Sequence, residues 1–189
     1  MSKLPLDWDS CRKRVSNLNL TEDSMILDIG SKDGKKAHYI VNRGQLTMSD
    51  ISRRKITPFV MCDATNLPFK DNSFDLVTLL HVIEHIKNDE MALKEIHRVL
   101  KKERITLIVT PNAKRFTKLY SVLSKVFKRS PNKYPMNADH VFEYDITDIE
   151  KLLKSSQFQE FTIEPFFMKI SRYIRIKNYC DQWIVTAKK

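Results

Sequence analysis

MILDIGSKDG, at residues 25–34, joins a run of apolar residues to an acid and two closely spaced glycines. Residues 25–29 are typical of a short buried strand, and residues 30–34 of the tight turn by which a strand enters a helix. Glycine lets the backbone approach a ligand closely, and the first turn of a helix has N–H groups without intrahelical partners. The stretch therefore predicts a ligand-binding turn.

The length of the chain predicts a single domain, and its cysteines are predicted to be reduced thiols. At 189 residues the chain fits a single domain over residues 1–189. Cys11, Cys62 and Cys180 are far apart and lack CxxC spacing, which predicts free thiols in a cytoplasmic location rather than metal ligands. There is no apolar run of about 18 residues and no signal-peptide core, so we expect neither a transmembrane segment nor secretion.

The formal net charge of +10 leaves several kinds of partner open. It suits nucleic acid, an anionic membrane surface or an acidic metabolite. A lysine-rich proteome, such as that of a thermophile, explains it equally well. Charge alone therefore selects no function.

Alternating strand and helix patterns predict an α/β fold with a mostly parallel sheet and right-handed crossovers. The expected strands are residues 24–29, 45–49, 57–62, 74–80, 105–109, 158–165 and 182–188, and the expected helices are residues 7–20, 33–42, 88–100 and a helix opened by a capping box of Thr147 and Glu150. Ligands of such sheets bind at the carboxyl ends of the strands. Asp28, Asp50 and Asp63 are expected along that edge.

Residues 113–139 interrupt the alternation and predict a lid-like insertion. Within it, residues 114–128 form a basic amphipathic pattern. Such a helix can pack on the core, close over a substrate, or contact a membrane surface or a partner. Residues 168–178 predict a hairpin extension before the last strand.

The acids after the strands predict the kind of cofactor. Asp50 follows Gly30 by twenty residues, the separation at which a carboxylate accepts ribose hydroxyls in dinucleotide-type folds. Asp63, after the next strand, can accept a hydrogen bond from an exocyclic amine such as that of adenine. A pyrophosphate is disfavoured, because G-x-G-x-x-G is absent and Asp28 and Asp33 would place negative charge beside it. We therefore expect a nucleoside cofactor without phosphates.

Several motifs together resemble one enzyme family. They are ILDIGSKDG, SDIS, CDATNLPFKDNSFDLVTLLHVIEHI, ALKEIHRVLKKE, LIVTPN and HVFEYDITDIEKLLKSSQF, in that order. The chain resembles the class I S-adenosylmethionine-dependent methyltransferases, in the group acting on small molecules and some RNAs. The resemblance implies a Rossmann-like three-layer sandwich whose seven-stranded sheet has the order 3-2-1-4-5-7-6, with strand seven antiparallel.

The resemblance also implies which residues contact S-adenosylmethionine. Asp28, Gly30, Ser31 and Gly34 would line its amino acid half, Asp50 would hold the ribose, Ile51 would flank the adenine, Asp63 and Ala64 would meet its amine, and Leu80 and His81 would contact the methionine moiety. The family pattern D-x-G-x-G-x-G is broken here, because Lys32 replaces the second glycine. An ammonium at this position could weaken cofactor binding by repelling the sulfonium, point away from the cofactor, or form a salt bridge with the cofactor carboxylate and strengthen binding.

Two histidines are candidates for the acceptor side. His85 and His140 could each serve as a base, which is needed only when the acceptor must lose a proton. Each could equally have a local structural role. His81 to His85 also spell H-x-x-E-H, a zinc-protease pattern, but the segment follows a strand and no third ligand is evident, so no metal is expected.

The leading functional prediction is methyl transfer from S-adenosylmethionine to an O or N atom of a small-molecule or glycan-like acceptor. The second is methylation of tRNA or rRNA, which the basic charge favours but the lack of an RNA-binding module disfavours. The third is a non-catalytic binding protein with a degenerate methyltransferase fold, which Lys32 suggests. Peripheral membrane contact stays open, and the oligomeric state is not predicted.

Overall fold

A computed structural model describes residues 6–113, 140–167 and 180–189. In these ranges, seven strands form one sheet of order β3-β2-β1-β4-β5-β7-β6, in which β7 is antiparallel to both neighbours and the other pairings are parallel. The predicted fold class, strand order and direction of strand seven are confirmed.

The element bounds follow the predicted ones closely at most positions. The strands are β1 (Met25–Ile29), β2 (Gln45–Asp50), β3 (Phe59–Met61), β4 (Phe74–Leu80), β5 (Leu100–Pro111), β6 (Glu160–Phe166) and β7 (Gln182–Lys188). The helices are α1 (Leu6–Ser16), α2 (Lys35–Ile40), a 3-10 turn (Ile83–His85), α3 (Asp89–Val99) and α4 (Ile146–Ser155).

The sheet is covered on both faces, which makes a three-layer sandwich. Neighbouring residues of the central strands point to opposite sides, so Leu27 and Val77 join the core with α3 and α4, while Ile26 and Leu76 join the core with α1 and α2. Every residue of β4 is buried. Strands buried on both faces are typical of parallel sheets flanked by helices.

Three of the differences from the sequence prediction concern α4, β5 and the segment after β4. The capping box of α4 is formed by Asp145 and Asp148, not by Thr147 and Glu150, because the Asp145 carboxylate accepts the N–H groups of Thr147 at 2.9 Å and Asp148 at 3.0 Å. β5 begins at Leu100 rather than at residue 105, and a 3-10 turn follows β4.

Two predicted segments lie outside the described residues: the lid-like insertion at residues 113–139, apart from Ala113 itself, and the hairpin extension at residues 168–178. Both stay predictions. In the part of the chain that the structure describes, no helix is long and apolar enough to cross a membrane.

The turn between β1 and α2 has a left-handed backbone at three residues, Gly30, Lys32 and Gly34, with φ angles of 72°, 51° and 74°. Gly30 is also sterically required, because a Cβ there would lie 2.4 Å from Cγ2 of Val82. Lys32 therefore adopts a backbone conformation that glycine favours, and its side chain is exposed.

Arg98, near the end of α3, ties the helix to the loop that precedes β4. Its guanidinium donates to the carbonyls of Phe69 at 2.8 Å and Leu67 at 3.0 Å, and to the carboxylates of Glu95 at 2.8 Å and Asp71 at 2.7 Å. The side chain of Arg98 is 31% exposed and that of Glu95 is 13% exposed. Partial burial makes this network stronger than a surface ion pair.

Replacing Arg98 by alanine is expected to lower the free energy of unfolding by about 2–3 kcal/mol, because two carbonyls and a half-buried carboxylate lose their donor. Urea denaturation measures the change. The matched control on the same helix is Lys94→Ala, which removes an exposed pair with Glu90 and should cost less than about 0.5 kcal/mol. Equal losses in the two variants would contradict the role given to Arg98.

Replacing Lys32 by glycine is expected to raise the free energy of unfolding by about 0.5–1 kcal/mol, since glycine adopts a positive φ without the steric cost that a Cβ brings. Gly30→Ala, in the same turn, should instead destabilise the protein, because its Cβ would clash with Val82. Thermal denaturation of the two variants compares them. A stabilising Gly30→Ala change would refute this account of the turn.

Candidate functional site

The carboxyl ends of β1, β2, β4 and β5 meet at one edge of the sheet. Gly30 follows β1, Asp50 ends β2, His81 follows β4 and Thr110 lies near the end of β5. The N–H of His81 donates to the carbonyl of Val109 at 2.9 Å, which extends the β4–β5 ladder by one step. Four segments that are distant in sequence are thereby brought together.

Asp50 is buried at the end of β2 and accepts four hydrogen bonds or ion-pair contacts. The N–H groups of Ser52 and Lys32 donate to its two oxygens at 3.0 and 3.2 Å, and the guanidinium of Arg54 approaches both at 3.2 and 3.1 Å. Burial opposes ionisation, but these donors outweigh it and hold the pKa of Asp50 below its usual range. The residue is therefore a carboxylate at neutral pH.

Asp28 lies one residue before the end of β1 and is 2% exposed. Burial raises the pKa of Asp28 to about 6, although hydrogen bonds from Ser31 and Thr78 oppose this shift. The Thr78 hydroxyl donates to Oδ1 of Asp28 at 2.6 Å. Asp28 was predicted to lie along the edge of the sheet. Its carboxyl group instead contacts Thr78 of the neighbouring strand β4.

The turn itself is held by Ser31. Its N–H donates to the carbonyl of Ser49 at 2.9 Å, and its hydroxyl donates to the carbonyl of Asp28 at 2.9 Å. Its own carbonyl accepts the N–H of Gly34 at 2.8 Å. Ser31 therefore joins β1, β2 and the start of α2, and fixes the shape of this side of the edge.

The other predicted cofactor residues differ strongly in exposure. Ile51 is 72% exposed beside Asp50, whereas Ala64 and Leu80 are 8% and 4% exposed. Asp63 is exposed, and its Oδ1 accepts the N–H of Thr65 at 2.8 Å. An exposed isoleucine next to a buried carboxylate is an apolar surface that a flat ring can cover.

His81 connects this edge to a buried acid that the sequence analysis did not select. His81 has a φ of 62°, and its ring packs edge-on against Trp8 of α1 with the centroids 5.7 Å apart. Its Nδ1 lies 3.3 Å from Oε1 of Glu84, whose side chain is fully buried. The Thr110 hydroxyl donates to Oε2 of Glu84 at 3.2 Å. The H-x-x-E-H pattern was the available signal for Glu84, but burial of the acid could not be inferred from it.

The structure brings His85 and His140 together, as two neighbouring candidate residues of the acceptor side. Their ring centroids are 4.9 Å apart. The N–H groups of Val141 and Phe142 donate to the carbonyl of Glu84 at 2.9 and 3.1 Å, which fixes the chain after His140 against the 3-10 turn. The sequence showed no third residue that could join Glu84 and His85 of the H-x-x-E-H pattern, and in the structure His140 lies in that position.

Comparisons of the sequence with known proteins find methyltransferases. A family model described as a methyltransferase domain matches residues 27–108. A demethylmenaquinone methyltransferase of Thermotoga maritima is 29% identical over 185 residues, covering 85% of this chain and 81% of that protein. A ubiquinone/menaquinone biosynthesis C-methyltransferase of Paraburkholderia phytofirmans is 32% identical over 130 residues, covering 60% of this chain and 51% of that protein.

Solved structures share the fold. The crystal structure of an S-adenosylmethionine-dependent methyltransferase from Thermotoga maritima superposes with a TM-score of 0.69 at 21% identity, covering 96% of this chain and 89% of that chain. The family match and the curated relatives also confirm the enzyme class and the cofactor expected from the sequence motifs. The chain is therefore an S-adenosylmethionine-dependent methyltransferase that resembles the class I enzymes in its motifs and its fold, and its cofactor is S-adenosylmethionine.

Proposed function

We propose that this enzyme methylates a small aromatic acceptor that carries ionisable hydroxyl groups, of the hydroquinone class. The observation that supports this acceptor is the contact between His81, at the edge of the sheet, and Glu84, which adjoins His85 and His140. This contact links the edge of the sheet where the cofactor binds to Glu84, His85 and His140, side chains that can bind a hydroxyl group and accept its proton.

The residues at the edge fit S-adenosylmethionine by their chemistry. A carboxylate at the end of β2 suits two ribose hydroxyls, an exposed isoleucine beside it suits a purine ring, and the acid after β3 suits an exocyclic amine. We therefore assign Asp50 to the ribose, Ile51 to the adenine, and Asp63 and Ala64 to its amine. When bound, the cofactor supplies a methyl group already activated on a sulfonium sulfur.

The remaining predicted residues have supporting roles in this proposal. Gly30, Ser31 and Gly34 shape the turn beside the amino acid half of the cofactor, and Leu80 and His81 line the methionine side. Asp28 acts through Ser31 and the turn rather than by direct contact, since its carboxyl group is buried against Thr78. These residues orient the cofactor and keep water away from the reacting atoms.

The names of two relatives indicate which kind of atom is methylated. The names of the Thermotoga maritima and Paraburkholderia phytofirmans proteins refer to demethylmenaquinone and to C-methylation in quinone biosynthesis. We take from these names both the acceptor class and the methylated atom, and we revise the predicted O or N acceptor to a ring carbon. Loss of a proton from a phenolic hydroxyl makes the neighbouring ring carbon nucleophilic, so a group that binds the hydroxyl also serves carbon methylation.

The other predicted functions have less support. The curated relatives named above do not include an RNA methyltransferase. The non-catalytic alternative depended on Lys32, whose backbone takes the glycine-like conformation and whose side chain is exposed. Peripheral membrane contact and a cytoplasmic location stay predictions.

Replacing Asp50 by alanine is expected to weaken the binding of S-adenosylhomocysteine about 10- to 100-fold, because the ribose loses a charged acceptor worth roughly 1.5–3 kcal/mol. Isothermal titration calorimetry measures the affinity. Glu90→Ala removes an exposed acid on α3 that pairs with Lys94, and serves as the matched control. Unchanged affinity in Asp50→Ala would contradict the ribose assignment.

The acceptor class is tested with methyl-labelled S-adenosylmethionine and a reduced naphthoquinone that lacks the ring methyl group. We expect label on a ring carbon, identified by NMR of the product. The matched control is the same hydroquinone with its free ring carbons already methylated, which should accept no label on carbon. Label found only on an amine acceptor, or in RNA added as a competitor, would refute the proposed acceptor.

A further inference from the structure

Three side chains from two distant segments can reach a common point. Glu84, His85 and His140 each offer one ligand atom, and these atoms all lie within 4.8 Å of one another. Glu84 and His85 belong to the 3-10 turn after β4, whereas His140 begins the segment that leads to α4. Two imidazoles and one carboxylate are a common ligand set for divalent transition metals.

The backbone holds these side chains in place. Hydrogen bonds from Val141 and Phe142 to the carbonyl of Glu84 fasten the two segments together at 2.9 and 3.1 Å. The Glu84 side chain is fully buried and is oriented by the Thr110 hydroxyl and by His81 Nδ1. Such outer contacts fix the position of a ligand before a metal binds.

His140 supplies an independent indication of a ligand. Its side chain is 9% exposed, and its Nδ1 has no hydrogen-bond partner among the described residues. The carboxylate oxygen of Glu143 lies at 3.7 Å, beyond hydrogen-bonding distance. A buried polar atom left without a partner is costly, and a metal ion bound to the ring would remove that cost or fix which nitrogen carries the proton.

We propose that Glu84, His85 and His140 bind a divalent transition-metal ion of the zinc type. Ligand atoms bound to one Zn²⁺ lie about 3–4 Å apart, so a modest rotation of the exposed His85 side chain closes the cluster around the ion. Mg²⁺ and Ca²⁺ suit the site less, because both prefer oxygen ligands. Three protein ligands leave at least one coordination position for another oxygen.

The role of this ion in the reaction rests on the proposed function. The open position would take a hydroxyl oxygen of the acceptor, next to His81 and hence next to the cofactor edge. A hydroxyl bound to Zn²⁺ ionises far more readily than a free one, and its proton passes to solvent. Binding of the ion itself requires neither acceptor nor cofactor, so the two proposals can fail separately.

Metal binding is tested on the full chain after treatment with a chelator. Titration with Zn²⁺ by calorimetry should give one site per chain, and titration with Co²⁺ should give the visible absorption of a low-symmetry Co²⁺ complex. His85→Ala and His140→Ala are each expected to weaken Zn²⁺ binding about 100-fold or more. His38→Ala, which removes an exposed histidine on α2 outside the cluster, should bind as the wild type does.

The outcomes separate a metal site from other roles of these residues. His85 is exposed, so His85→Ala is expected to keep the fold, and circular dichroism checks both variants. Absence of a Co²⁺ spectrum in the wild type, or equal Zn²⁺ affinity in wild type, His85→Ala and His140→Ala, would overturn the proposal. If Zn²⁺ binds at one site but leaves the rate of methyl transfer unchanged, the metal site stands and its role in the reaction is refuted.

Discussion

The alignment of β1, β4 and β5 is the constraint on which the site depends. Ile29 of β1 is paired with Leu79 of β4, and Leu79 is paired with Ile108 of β5, so the carboxyl ends of the three strands lie at one level. A shift by one residue would turn the apolar side chains of each strand to the opposite face, and both faces are packed with helices. The register, and with it the position of the edge residues, is therefore fixed by burial.

The buried strands were the most predictable part of the molecule. The run at residues 74–80 matches β4 because every side chain there is apolar or satisfied inside the core. Predictions failed where charged residues take part in a strand. After Leu100, β5 continues with four charged residues, 101–104, whose pattern is typical of a turn. Lys101 and Arg104 pair with the buried Asp75 at 2.7 and 3.2 Å, so these two charges are neutralised within the sheet.

β3 shows the opposite error, since only three of the six expected residues form the strand. Pro58, at the start of the predicted run, has no N–H to donate to a ladder, and only one neighbouring strand is available. The edge positions of Asp50 and Asp63 could be predicted, because each acid directly follows or ends a strand and parallel strands end at the same edge of the sheet. The meeting of Glu84 with His140 could not be found in this way, because it depends on backbone contacts between segments separated by residues 86–139.

The ion pair between Asp50 and Arg54 has a consequence for how cofactor affinity responds to salt. A carboxylate offers about four lone-pair sites, and the two backbone N–H groups and the guanidinium approach all of them. Ribose hydroxyls can reach Asp50 only if one of these donors moves away. The partly exposed guanidinium of Arg54 can rotate into solvent, whereas the backbone N–H groups are fixed. Salt weakens that partly buried ion pair, though less than it would an exposed one, and leaves the neutral hydroxyls unaffected. Moderate ionic strength should consequently favour cofactor binding at this acid, the reverse of the dependence expected where charge attracts a ligand.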